Sequence, residues 1–137
     1  MIRASELEDR VALLGVRGDM PAVTAAFDVA VSSSVFGEAF SIAIGEALAT
    51  AVPCVATDSG NASRLVGDAG RVVPVRDPVA LARAIVDLLS LSPDERRALG
   101  AQGRQAIIGC YSLDAVVHRY EDIYDEAVRL ASAPGSG

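Results

Sequence analysis

At 137 residues the chain has room for one domain with a real core and too little for two ordinary ones. Its net charge of −6 and aromatic content of 4%, with no Trp, argue against a nucleic-acid partner, which needs a basic face and stacking rings. All twelve basic residues are Arg, so chemistry that requires a Schiff-base or phosphate-loop lysine is excluded within this chain.

The opening MIRASELEDR lacks an apolar signal core, and no run approaches the roughly 18 apolar residues of a membrane span. Two cysteines, Cys54 and Cys110, do not make a disulfide framework, and the expected compartment is the cytoplasm. Cys54 lies in an apolar run and reads as a small buried hydrophobe.

Taken in order, Arg10–Val16 reads as a short buried strand, and Asp19 with Pro21 opens a helix. Asp28–Ser32 is the next strand and runs into a serine-rich loop. A helix spans residues 41–51 and stops before Pro53. Cys54–Thr57 is continuously apolar, the pattern of a parallel strand covered on both faces. Ala62–Val66 reads as a short helix and Arg71–Val75 as a fourth strand that Pro74 brings to an end.

Asp77–Pro78 starts a helix with Val79, Ala82, Ile85, Val86 and Leu89 at helical spacing. Ser92, Pro93 and Glu95 form a capping-box signature for the following helix. Ser112 caps the last helix, where Leu113, Val116, Val117, Tyr120, Ile123, Tyr124 and Ala127 make one apolar stripe. Alternating strands and helices predict a Rossmann-like, doubly wound α/β sheet. The predicted boundaries are a partial domain over residues 1–131 and a disordered tail over 132–137.

Chemistry is concentrated between Phe36 and Gly60. In an open parallel sheet, ligands bind where strand ends give way to helix starts. Free N–H groups near Phe40, Ser41 and Ile42 would carry the positive end of a helix dipole and suit a diphosphate without a lysine. Ser41 fits a plain helix cap equally well. Glu46, in the second turn, leans back toward that end and can accept from two vicinal hydroxyls of a ribose. Glu38, before the helix, can accept from a sugar on the other side of the phosphates; a solvated pair of glutamates is the simpler alternative.

The loop Thr57–Asn61 opens at the same edge, with Gly60 placed for a left-handed turn. Arg64 and Arg76 follow the candidate loops but fit solvated surface positions. His118 is the single histidine. With no second histidine and no cysteine cluster, neither a metal site nor a Ser-His triad is expected.

The run FGEAFSIAIGEALATAVPCVATDSGNASRLVGDAGRVVPVRDPVALARAI resembles the donor-binding segment of GT-B glycosyltransferases of family 4. The matching elements are Glu38, Ala39–Phe40, Glu46 and Ala51–Val55, followed by Thr57–Gly60, Val66–Gly70 and Val73–Pro78. The similarity extends from about residue 7 to 128. The resemblance implies that Glu38, Ala39 and Phe40 contact the donor sugar, and that Glu46 binds the nucleotide ribose. It also implies that backbone groups of Phe40, Ser41 and Ile42 approach the diphosphate.

Where the family usually has Gly, this chain has Ala39, whose Cβ narrows the backbone approach to phosphate. The family's basic pair at the leaving diphosphate and its N-terminal acceptor domain have no counterpart in this sequence. The expected function is therefore the donor-binding part of a retaining glycosyltransferase, inactive alone, with no cofactor and no metal. Its expected partners are a nucleotide-sugar and the missing acceptor domain or a separately encoded counterpart, with self-association through the last helix as a further candidate. The intact enzyme is expected in the cytoplasm or peripherally at a membrane. The rivals are a nucleotide-sugar epimerase-like fragment and a non-catalytic module that binds a nucleotide or a protein partner.

Overall fold

The computed structural model describes residues 7–36 and 39–132. Three parallel strands, β1 (Ala30–Ser32), β2 (Cys54–Thr57) and β3 (Gly70–Val73), lie in the order β1-β2-β3. Ala30 stands opposite Cys54, and Cys54 opposite Gly70. The helices are α1 (Met20–Ala25), α2 (Ile42–Ala49), α3 (Ala62–Val66), α4 (Pro78–Ser90), α5 (Pro93–Tyr111) and α6 (Leu113–Ser132). The α/β class expected from the alternating pattern is the one that forms.

The reason lies in β2. All four of its residues are buried, and successive side chains serve opposite faces. Cys54 and Ala56 join the core formed with α2, α3 and α5, around Leu48, Leu65 and Ile107. Val55 points the other way, into a second core with Val73, Ala84 and Leu88 beneath α4. Leu48 and Leu88 are completely buried, each contributing roughly 1.5–3 kcal/mol of transfer free energy. Burial also pushes the Cys54 thiol up to about 12, so it stays neutral and acts as core packing.

Local signals set most boundaries. Asp77 accepts the Ala80 N–H at 2.9 Å and starts α4. Ser92 and Glu95 form the complete capping box at the start of α5. Arg96 then ties the α4–α5 turn to the sheet. Its guanidinium donates to the Leu91 carbonyl at 2.5 Å and pairs with Asp28 at 3.2 Å. Gly100 lets α5 approach the end of α2, because a Cβ there would lie 1.9 Å from the Ala51 carbonyl oxygen.

Four expectations change. The strand expected over Asp28–Ser32 is shorter and begins at Ala30, where the ladder to Cys54 starts. Arg10–Val16 is not a strand; Leu13 and Val16 are 83% and 106% exposed, and β1 is an edge of the described sheet. A strand exists only through its ladder bonds, and this apolar run pairs with no strand among the described residues. The helix expected over 41–51 is shorter, because Ala51 turns left-handed at φ 62°. The strand expected over Arg71–Val75 begins at Gly70 and ends at Val73, where Pro74 offers no N–H. Helix α6 reaches Ser132, and residues 133–137 lie outside the described part.

Candidate functional site

The C-terminal ends of β1 and β2 open onto one edge, and two side chains hold their loops together. Thr57 Oγ1 donates to the Ser34 carbonyl at 2.6 Å, and Ser59 Oγ donates to the Phe36 carbonyl at 2.6 Å. The second loop thus pins the segment that leads into α2. Asp58 N–H bonds the Val73 carbonyl at 2.7 Å, which fixes the same loop to β3. Gly60 adopts φ 60°, the left-handed conformation expected of it.

Helix α2 then starts without a side-chain cap among the described residues. Ser41 stands at the cap position with extended backbone, yet its hydroxyl makes no cap hydrogen bond. The first backbone bond of the helix runs from Gly45 N–H to the Ser41 carbonyl at 3.0 Å. The N–H groups of the preceding turn are left to whatever lies in front of them. The opposite end is well served: Thr50 Oγ1 donates to the Ala47 carbonyl at 2.9 Å, and Arg104 donates to the Ala49 carbonyl. A cation there complements the negative end of the dipole.

Each residue singled out from the sequence has a definite position except one. Glu38 lies outside the described residues. Ala39 and Phe40 immediately precede the start of α2, and both are exposed. Ser41 is buried at 7% exposure, whereas Ile42 is exposed in the first turn. Glu46 is exposed on the second turn and has no ion-pair partner among the described residues. Phe40, Ser41, Ile42 and Glu46 therefore occupy one helix start at the carboxyl edge of the sheet.

The arginines are elsewhere. Arg76 adopts φ 61° just after β3 and borders a cavity of about 150 Å³ with Ser33, Thr57 and Asp77. Arg64 lines a separate groove between α3 and α5. A further cavity, lined by Phe27, Asp28, Pro53 and Arg96, involves the residues before β1 and β2 and lies away from this edge. His118 sits exposed on α6, its Nδ1 2.8 Å from the Asp114 carbonyl.

Two features of the site were not visible in the sequence. The Phe40 ring packs edge-on against Tyr111, with centroids 5.2 Å apart, so the last turn of α5 supports the entry to α2. The same ring fits over Gly45, where a Cβ would approach to 3.2 Å. The alternation of small residues in SIAIGEALA hints at close packing, but only the fold supplies the aromatic partner.

The residues carrying this site fall within a family match. Residues 1–91 match the glycosyl transferases group 1 family. Over 131 residues the chain is 28% identical to the N-acetyl-alpha-D-glucosaminyl L-malate synthase of Bacillus anthracis, covering 94% of this chain and 34% of that protein. It is 31% identical to the MMP alpha-(1->4)-mannosyltransferase of Mycolicibacterium hassiacum, covering 84% of this chain and 28% of that protein. A glycosyltransferase from Rickettsia africae superposes with a TM-score of 0.84 at 25% identity, over 93% of this chain and 34% of that structure. Sucrose-phosphate synthase from Thermosynechococcus elongatus superposes at 0.80 with 28% identity, over 94% of this chain and 33% of that structure. The chain thus spans about a third of the length of these relatives, or less. With more than half of its residues inside the family match and the parallel sheet superposing on GT-B enzymes, the chain belongs to the glycosyl transferases group 1 family.

Proposed function

We propose that this chain forms the donor-binding part of a retaining glycosyltransferase that takes its sugar from a nucleotide diphosphate-sugar. The observation that carries this reading is the start of α2. Its first-turn N–H groups receive no cap from the Ser41 side chain, they stand at the carboxyl edge of a parallel sheet, and Glu46, without an ion-pair partner among the described residues, follows one turn later. A diphosphate accepts from those N–H groups and gains from the dipole. Glu46, as a carboxylate, accepts from both hydroxyls of the nucleotide ribose.

The same N–H groups stabilise charge that accumulates on the diphosphate as the glycosidic bond to it breaks. Ala39 and Phe40 place backbone beside the sugar, with Glu38 as its expected carboxylate contact. The acceptor and the cationic groups that balance the leaving diphosphate come from outside this chain. Alone, the chain holds donor without transferring its sugar.

Calorimetric titration with nucleoside diphosphates and their sugar conjugates, combined with a donor-turnover assay, tests both statements. Saturable binding without turnover is expected. An absence of binding contradicts the donor-site reading, and turnover above background contradicts the claim of inactivity.

A second reading, a non-catalytic module that docks to a protein partner, is favoured by one specific observation: α6 has no buried residue. It differs from the first in what it needs. Docking through α6 persists when the nucleotide site is disabled.

A further inference from the structure

The entry to α2 carries half of a hydrophobic staple. Ser41 holds the cap position, so Phe40 stands just before the cap and Gly45 is the fourth residue of the helix. In a staple those two positions carry apolar side chains that pack together and fix the angle at which the chain enters the helix. Here the fourth position is glycine. The Phe40 ring lies across it, where a Cβ would come within 3.2 Å, and makes its aromatic contact with Tyr111 instead.

Tyr111 can serve because α5 runs along the whole of α2 in the opposite sense. Gly100 meets Ala51, Gly103 meets Leu48, and Tyr111 meets Phe40. Eleven positions separate the first and last of these contacts on either segment, about 16 Å of helix. The far end is tight: a Cβ on Gly103 would lie 2.6 Å from Leu48 Cδ2 and 2.7 Å from Ala69 Cβ. The near end is held by the turn into α6. There Ser112 Oγ accepts the Ala115 N–H at 3.2 Å, and Arg119 donates to the Cys110 carbonyl. The Tyr111 ring is therefore delivered to Phe40 by a helix fixed at both ends.

Ser41 gives no cap hydrogen bond, so the aromatic contact, rather than a cap, sets the direction of the first turn. The N–H groups of Ile42, Ala43 and Ile44 precede the first backbone bond of the helix, from Gly45 N–H to the Ser41 carbonyl at 3.0 Å. Their aim depends on the entry angle. We propose, on the donor-site reading above, that Tyr111 is a positioning residue for the diphosphate site: through Phe40 it fixes the direction in which these N–H groups point. The ring carries this role and the Tyr111 hydroxyl has no part in it.

Calorimetric titration of the whole chain with a nucleoside diphosphate, beside the urea stability of each variant, tests it. Tyr111→Phe keeps the ring and should bind as wild type does. Tyr111→Ala should weaken binding about tenfold while the protein stays folded by circular dichroism. Ile107→Val, one turn earlier on α5 and buried in the core, should lower stability and leave affinity unchanged. Gly45→Ala should part the two readouts. It pushes the Phe40 ring aside by a few tenths of an ångström and should weaken binding about threefold. Its stability should hold or rise, because alanine suits a helix interior better than glycine. In a Phe40→Ala background, Tyr111→Ala should cost no further affinity.

Wild-type affinity in Tyr111→Ala or Gly45→Ala overturns the positioning role alone. So does a Tyr111→Phe as weak as Tyr111→Ala, an equal loss in Ile107→Val, or a further loss in the Phe40→Ala background. Wild type that binds no nucleoside diphosphate overturns the donor-site reading, and the positioning role with it.

Discussion

Helices α2 and α5 pack against each other where Gly103 meets Leu48, with Gly100 against Ala51 just beyond the end of α2, yet they begin in opposite ways. At the start of α5, Ser92 and Glu95 take up each other's backbone N–H groups, with Ser92 N–H donating to the Glu95 carboxylate at 2.7 Å. At the start of α2, Ser41 occupies the same cap position and bonds nothing there. A helix end that satisfies itself has stability as its role, whereas one left open at the carboxyl edge of a parallel sheet is available to an anion. The two ends also differ in their neighbours. The start of α5 follows a short turn from α4, while the start of α2 is held in place by loops that Thr57 and Ser59 pin and by the Phe40–Tyr111 contact.

Substitutions at either end can break or sharpen this contrast. The largest effect is expected at the junction of the two helices. Gly100→Ala forces a Cβ onto the Ala51 carbonyl and should cost about 3 kcal/mol, lowering the melting temperature by roughly 10 °C. Next comes Glu46→Ala, which removes a charged acceptor for ribose. It should weaken nucleoside diphosphate binding about 10- to 100-fold in calorimetry, while stability in urea changes by less than about 0.5 kcal/mol.

Ser92→Ala should do the reverse, costing about 1 kcal/mol of stability and leaving nucleotide affinity unchanged. It should also alter the acid limb of stability. The Ser92 hydroxyl and N–H hold the Glu95 carboxyl below its ordinary value, so that contribution is present at neutral pH and is lost as pH falls through the lowered value. Urea titrations across the acid range should show this component in the wild type and a smaller one in the variant, which loses the hydroxyl but keeps the backbone N–H at residue 92. The smallest effect is a gain. Ala51 is left-handed at φ 62°, and Ala51→Gly should stabilise by about 0.5 kcal/mol in the same titration, relief of strain outweighing the added chain entropy.

What could be read in the sequence follows the range of the interactions involved. Residues Cys54–Thr57 and Ala62–Val66 form the expected elements at the expected boundaries, and the capping box at Ser92 is complete. These depend on neighbours a few positions apart. The run Arg10–Val16 reads equally well as a strand by its composition, but a strand needs a partner, and none pairs with it among the described residues. Within the candidate site, sequence placed Phe40, Ser41, Ile42 and Glu46 at one helix start. It left Ser41 undecided between cap and anion site, and the structure shows that its hydroxyl does not cap. The support from Tyr111 spans the whole of the intervening chain, and no local pattern encodes it.

The claim that the open start of α2 is a diphosphate site is tested most directly by amide chemical shifts during a titration with nucleoside diphosphate. The account predicts saturable shifts at Phe40–Ile44, with Glu46→Ala weakening the response and the amides of Asp94–Arg96 at the start of α5 unmoved. Shifts at both helix starts alike, or at neither, would contradict it.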